Sequence, residues 1–170
     1  MPTNFYMYFI TALIPLIIGS IYYNPKVLGT AWMKAGKFSE EYLREANMTV
    51  IFIMTYIFSV MLSMALGSLT IHQGGAFSMM MPEVLESGSE VQQEFNMLME
   101  KYGENSRTFG HGALHGFLGA LFIALPIIGI NSLFERRGWK YLLIHFGYWA
   151  ISLALMGGLI CATLQFAPLS

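Results

Sequence analysis

Four long stretches without a charged residue constrain this chain more than any other feature of its sequence. They cover residues 5–23, 48–71, 110–134 and 141–170. Each is about as long as the roughly 20 apolar residues that an α-helix needs to cross a bilayer. Of all residues, 55% are hydrophobic and only 11% are charged, a balance typical of membrane proteins. Because the stretches are continuously apolar rather than alternating, the sequence predicts transmembrane helices.

We therefore predict an all-α fold, an integral membrane four-helix bundle that forms a single membrane domain in the lipid bilayer. No cation precedes the first stretch and no small-residue cleavage motif follows it, so we expect a retained helix rather than a removable signal peptide. Pro15 and Pro126 should kink their spans, because proline lacks the N–H that a helix interior needs. The predicted domain covers residues 1–170, with spans at about 5–23, 48–71, 110–134 and 141–165 and an extramembrane loop at 72–108.

The basic residues predict the orientation in the membrane. Four spans place both termini on one side, so the short connections at residues 24–47 and 135–140 share the other side. Only Lys101 and Arg107, of the 9 Lys and Arg residues, lie outside these connections. The positive-inside rule therefore places the short connections in the cytoplasm, and the termini and the long loop outside it, in a cell inner membrane.

The long loop contains a predicted amphipathic helix at about residues 90–102. Ser89 and Gln92 form a capping-box pattern, and Gly103 is a typical helix stop. Apolar residues recur between them at helical spacing: Val91, Phe95, Leu98, Met99 and Tyr102. This face must cover the bundle, the lipid surface or a partner, and we favour the first two.

Three histidines are candidate metal ligands. His111 and His115 lie one turn apart on the third span, and His72 follows the second span at the same predicted end of the bundle. Three imidazoles can bind zinc, copper or iron, and H-x-x-x-H is a known ligand spacing. The alternative is that His111 lies among the lipid headgroups and His115 hydrogen-bonds to a helix carbonyl. His145 is expected on the cytoplasmic half of the fourth span, too distant to join them.

Small residues recur at four-residue intervals on three of the predicted spans. Such ridges let helix backbones approach closely in lipid, where no hydrophobic effect drives helices together. They favour a compact bundle and association with a second copy or with another membrane protein. The ridges are Thr55, Ser59, Ser63 and Gly67 on the second span, Gly112, Gly116, Ala120 and Ala124 on the third, and Ala150, Ala154, Gly158 and Ala162 on the fourth.

Motifs of the common enzyme classes do not occur in the sequence. The chain has no Asp, no glycine-rich phosphate loop, no G-x-S-x-G motif and no H-E-x-x-H motif. It also has no basic stripe, which excludes nucleic acid as a partner. Cys161 is the single cysteine, so an intramolecular disulfide is excluded. A metal ion at the histidines is the one cofactor that the residues indicate.

Two segments carry motifs that are found together elsewhere. The segment after the first span reads aromatic-Tyr-x-Pro-x-x-x-Gly-x-x-Trp, with Tyr22, Tyr23, Pro25, Gly29 and Trp32. The third span begins Gly-x-x-His-Gly, with Gly112, His115 and Gly116, and ends Asn-x-x-Phe-Glu, with Asn131, Phe134 and Glu135. In these segments the chain resembles the bacterial membrane family called domain of unknown function 1761. The resemblance does not extend to the loop at about 77–108. It implies a small four-span membrane protein without an assigned activity, and it favours His115 as the histidine to mutate.

Three functions fit these features. The first is a non-enzymatic membrane component that acts as a homo-oligomer or as an accessory subunit of a membrane assembly. The second is a transporter or channel for a small solute, ion or proton, with its conduit at a subunit interface. The third is a metal-dependent membrane enzyme that uses His72, His111 and His115. We favour the first at this stage, because the spans have packing ridges and no catalytic or ion-binding carboxylates.

Overall fold

The computed structural model describes residues 3–166 and residue 169, and the elements of this part of the chain are helical. The first half contains α1 (Tyr6–Thr11), α2 (Ile14–Tyr22), α3 (Thr30–Gly36), α4 (Glu40–Arg44) and α5 (Met48–Thr70). The second half contains α6 (Gln73–Met79), α7 (Glu90–Tyr102), α8 (Phe109–Gly119), α9 (Leu125–Phe134) and α10 (Trp139–Thr163). Two π-helical turns, Pro25–Gly29 and Ala120–Ala124, and a 3₁₀ turn, Glu83–Leu85, connect some of them. The all-α prediction is confirmed.

Three helices within the described residues are long and apolar enough to cross a membrane. They are α5, the continuous helix Phe109–Phe134 that joins α8 to α9, and α10. A fourth candidate is the pair Tyr6–Tyr22 and Pro25–Gly36, whose two parts are bent by 56°. Many large apolar side chains on these helices are exposed, as expected for surfaces that face lipid. The chain is therefore a multi-pass membrane protein.

The first span is interrupted close to Pro15, where a kink was predicted. It breaks after Thr11 and resumes at Ile14. Pro15 explains the break, because its ring crowds the carbonyl four residues earlier and it cannot donate a hydrogen bond to that carbonyl. At the far end Asn24 turns the chain, since its side chain accepts a hydrogen bond from the Lys26 N–H at 3.0 Å. The π-helical turn then leads into α3.

The kink predicted at Pro126 takes the form of the second π-helical turn. This turn, Ala120–Ala124, lies directly before α9, and Pro126 is the second residue of α9. A wider turn accommodates a residue that lacks the N–H of a regular helix, so the helix continues through Pro126 to Phe134.

The closest helix pair in the bundle is α8 with α10. A Cβ atom on Gly116 would lie 2.6 Å from the carbonyl carbon of Leu153, and one on Gly112 would lie 2.8 Å from that of Gly157. The ridge predicted on the third span therefore packs as expected at these glycines. The ridge predicted on the fourth span contributes Ala154 and Gly158 to this contact, where they lie against Gly116 and Phe109 of α8. Leu153, Gly157 and Cys161 beside them face α8 as well. The contact with α8 therefore covers a broader face of α10 than the predicted ridge alone.

The contact between the first span and α5 uses the predicted polar ridge. Ser59, Ser63 and Gly67 are buried on α5. The hydroxyls of Ser63 and Thr11 lie 2.7 Å apart, and Thr11 donates to the carbonyl of Met7 at 2.8 Å. Since Thr11 has one hydrogen to donate, the Ser63 hydroxyl donates to Thr11. This bond joins the two helices inside the apolar region.

The helices of the long loop pack against each other. Its helix α7 occupies residues 90–102, where the amphipathic helix was predicted. The Ser89 Oγ accepts a hydrogen bond from the Gln92 N–H at 3.1 Å, as the capping pattern indicated. The buried Phe95 ring packs on Phe77 of α6, with the ring centroids 5.7 Å apart. The apolar face of α7 is thus covered, at least in part, by this chain.

The two basic connections meet at one end of the bundle. The Arg137 guanidinium donates a hydrogen bond to the carbonyl of Gly36 and lies 5.2 Å from the centroid of the Phe38 ring. Within the first connection, Ser39 caps α4, since its Oγ accepts from the Tyr42 N–H at 3.1 Å. The opposite end of the bundle carries the loop with α6 and α7.

Candidate metal centre and a second polar cluster

The three candidate ligands come from two places in the chain. His72 lies between α5 and α6, while His111 and His115 lie in the first turns of α8. Thr108 caps α8, because its Oγ1 accepts a hydrogen bond from the His111 N–H at 3.2 Å. Residues four positions apart share one face of a helix, so α8 presents both imidazoles to His72.

The structure brings these three imidazoles together. One ring nitrogen from each lies within 4.8 Å of the others. The Nε2 atoms of His72 and His111 are 3.0 Å apart, and the His111 and His115 ring centroids are 4.5 Å apart. His72 is exposed and the other two are partly buried, so solvent reaches the group.

This geometry is close to that of a three-histidine metal site. Zinc–nitrogen bonds of about 2.0–2.1 Å place the nitrogens of a tetrahedral site roughly 3.4 Å apart. The closest pair is already near this separation, and the widest needs to close by about 1.4 Å, which small side-chain rotations supply. A hydrogen bond between His72 and His111 explains why these two rings lie close together. It does not explain the position of His115, whose ring has no hydrogen-bond partner among the described residues. A bound cation would account for all three.

A second polar cluster surrounds His145 on α10, at the basic end. The Tyr23 hydroxyl lies 2.9 Å from Nδ1, and the Trp32 indole N–H donates to Nε2 at 3.3 Å. An indole nitrogen only donates, so Nε2 accepts, and a neutral ring then carries its proton on Nδ1 and donates it to Tyr23. The expectation that His145 lies apart from the other histidines agrees with these contacts. Its engagement by Tyr23 and Trp32 was not foreseen.

The segment after the first span builds this second cluster. Pro25 begins the π-helical turn, and Gly29 ends it. A Cβ atom on Gly29 would lie 2.8 Å from the carbonyl carbon of Asn24, so the turn closes this tightly only with glycine. The turn carries Trp32 back onto His145, and Asn131 lines a pocket beside the same ring. Positions 23 and 145 are 122 residues apart, and no local pattern in the sequence links them.

Comparison with known proteins gives one family. A family model described as protein of unknown function (DUF1761) matches residues 6–161. The matched range includes both histidine clusters. No curated protein and no solved structure matches the chain.

Proposed function

This chain belongs to the DUF1761 family of unknown function, and from its site we propose that it is a membrane metalloprotein. His72, His111 and His115 bind one zinc ion, or a similar late first-row divalent ion, at the end of the bundle opposite the basic connections. The observation that carries this proposal is the convergence of three imidazole nitrogens within 4.8 Å of one another. Imidazole is a common ligand for zinc, copper, iron and nickel.

The ligand set favours a reactive ion over a structural one. Structural zinc sites usually have four protein ligands, whereas catalytic sites have three and keep one position for water or substrate. Among the described residues, the candidate metal site consists of three histidines, with no carboxylate or thiolate. A zinc ion with such ligands lowers the pKa of its bound water and supplies a nucleophile near neutral pH. We therefore propose a metal-dependent reaction on a small substrate that reaches the exposed side of His72.

We also propose that the metal site faces away from the cytoplasm, in a cell inner membrane. The contact of Arg137 with Gly36 holds the two basic connections together at the opposite end. The positive-inside rule assigns that end to the cytoplasm. The substrate would then reach the site from the outer aqueous side.

Association with a second copy or with another membrane protein, and transport along a conduit at such an interface, stay predictions. The ridges on which they rested are partly used within the chain, since Gly112, Gly116 and Gly157 pack in the α8–α10 contact. By contrast, the metal proposal has a specific side-chain arrangement behind it, and we place it first.

Metal analysis of the purified protein tests the proposal. The full chain is extracted in mild detergent without chelators, purified by size exclusion, and measured by inductively coupled plasma mass spectrometry. We expect about one divalent transition-metal ion per chain. His115→Ala should lose most of this metal, because removal of one of three ligands leaves a weak two-histidine site.

His145→Ala is the matched control. It removes the same side chain from the same protein, but His145 is engaged by Tyr23 and Trp32 at the other end. We expect this variant to keep its metal. A wild-type protein with far less than stoichiometric metal, even after incubation with Zn²⁺ and removal of excess ion, would overturn the proposal. Equal metal content in the His115 and His145 variants would do the same.

A further inference from the structure

A small polar pocket lies between α9 and α10, at the basic end of the bundle. Its volume is about 180 Å³. Three of its residues share one face of α9, one directly follows that helix, and two lie one turn apart on α10. They are Ile128, Asn131, Ser132, Glu135, Tyr141 and His145.

One buried hydroxyl in this pocket makes no hydrogen bond to the described residues. Ser132 is 4% exposed, and its Oγ has no hydrogen-bond partner within the described part of the chain. Buried polar atoms almost always have a partner, so this hydroxyl is available to a molecule that enters the pocket. His145 does not supply the missing partner, because Tyr23 and Trp32 engage both of its nitrogens. Its ring forms a wall of the pocket.

The single acid of the pocket is only loosely neutralised. Glu135 Oε2 lies 3.5 Å from the Nε of Arg137, and the Glu135 side chain is 53% exposed. Arg137 is shared among several partners, since it donates to Gly36 and lies over the rings of Phe38 and Tyr141. The Glu135 carboxylate therefore has acceptor positions left for a further donor.

We propose that this pocket binds a primary ammonium group. Such a group carries one positive charge and three N–H donors. The pocket offers three acceptors of matching number and charge: the Glu135 carboxylate, the Asn131 amide oxygen and the Ser132 hydroxyl. The volume is that of about six water molecules, which suffices for an aminoethyl group.

Phosphatidylethanolamine is the source that the surroundings favour. Phe134 is 87% exposed and Trp139 is 75% exposed. They end α9 and begin α10 on either side of the turn, and in a membrane protein such side chains face lipid. Arg136 and Lys140, also exposed, lie beside them in the sequence and suit a lipid phosphate. A free small amine has the same ammonium chemistry.

Native mass spectrometry of the full chain, in micelles doped with one lipid at a time, tests this proposal. The lipids are phosphatidylethanolamine, phosphatidylcholine and phosphatidylglycerol at equal mole fraction and with equal acyl chains. We expect about tenfold stronger retention of phosphatidylethanolamine than of phosphatidylcholine, whose trimethylammonium has no N–H to donate. Glu135→Gln should remove most of this preference, and Ser132→Ala should reduce it less.

Glu104→Gln is the matched control, because it makes the same change in the loop at the other end and should leave the preference intact. Free ethanolamine separates the two sources: if it displaces the lipid, the ammonium is recognised without a lipid, and if it does not, the headgroup is recognised with its phosphate. Equal retention of the two lipids by the wild-type protein would overturn the proposal and leave a pocket filled by water. This comparison needs no variant, so misfolding of the Glu135 variant cannot obscure it.

Discussion

Replacing Gly116 by alanine tests the close contact between α8 and α10. The added Cβ would lie 2.6 Å from the carbonyl carbon of Leu153 and 3.0 Å from the Cα of Ala154. Ordinary van der Waals contact begins at 3.4 Å. The Leu153 carbonyl oxygen would lie closer still. The two backbones must therefore separate by roughly 1 Å or more at this point, because none of these neighbours is a flexible side chain that can move aside.

The cost of this separation follows from overpacking. Extra methyl groups forced into a well-packed core typically destabilise a protein by about 1–3 kcal/mol. In a helix interior alanine is intrinsically better than glycine by about 1 kcal/mol, and this gain opposes the loss. Gly119→Ala isolates the gain, because it lies on the same helix and its Cβ would meet only Leu69, at 4.0 Å. We expect Gly116→Ala to be about 1–3 kcal/mol less stable than Gly119→Ala.

Equilibrium unfolding in mixed micelles with increasing sodium dodecyl sulfate measures this difference. The metal content of the same preparations is a second readout, because Gly116 follows His115 and a displaced α8 moves His111 and His115 relative to His72. We expect Gly116→Ala to lose metal and Gly119→Ala to keep it. If both variants unfold at the same detergent fraction, the close α8–α10 contact does not exist as described.

Three further predictions concern other parts of the fold. Ser63→Ala should destabilise the protein by about 0.5–1.5 kcal/mol, because Thr11 loses its inter-helix partner in the apolar region, and a double-mutant cycle with Thr11→Ala should show coupling of the two effects. Ser89→Ala should cost α7 about 1 kcal/mol through loss of its cap, seen as faster hydrogen exchange in α7 with the bundle helices unchanged, and unchanged exchange in α7 would contradict the assignment. Gly138→Cys keeps every cation and has open space around the new side chain. It should react with a membrane-impermeant maleimide only after cell lysis, and labelling in intact cells would show that the predicted orientation is wrong.

Several elements of the fold could be predicted because they depend on residues close together in the chain. The apolar stretches predicted the helices α5 and α10, and Ser89 with Gln92 predicted where α7 begins. A cap needs only a side chain and an N–H three residues later, so the sequence contains the whole interaction. The break after Thr11 was harder to place, since proline predicts a disruption but not its exact extent.

The candidate sites could be predicted only in part. The spacing of His111 and His115 put them on one face of α8, which is a local property. That His72 meets them depends on how α5 packs beside α8, and the pairing of His145 with Tyr23 depends on a turn that carries α3 back onto α10. These contacts join residues 39 and 122 positions apart. No periodicity in a single sequence encodes such distances.

By itself, the sequence determined that this chain is helical, that its helices suit a membrane and which residues cap or interrupt them, because hydropathy and capping act over a few residues. The tertiary structure decided which faces meet: Gly112 of α8 packs on Gly157 of α10, and three histidines converge while the fourth is held elsewhere. In lipid, helix pairing depends on close van der Waals fit between distant segments, so small residues in one segment do not specify which helix they will meet.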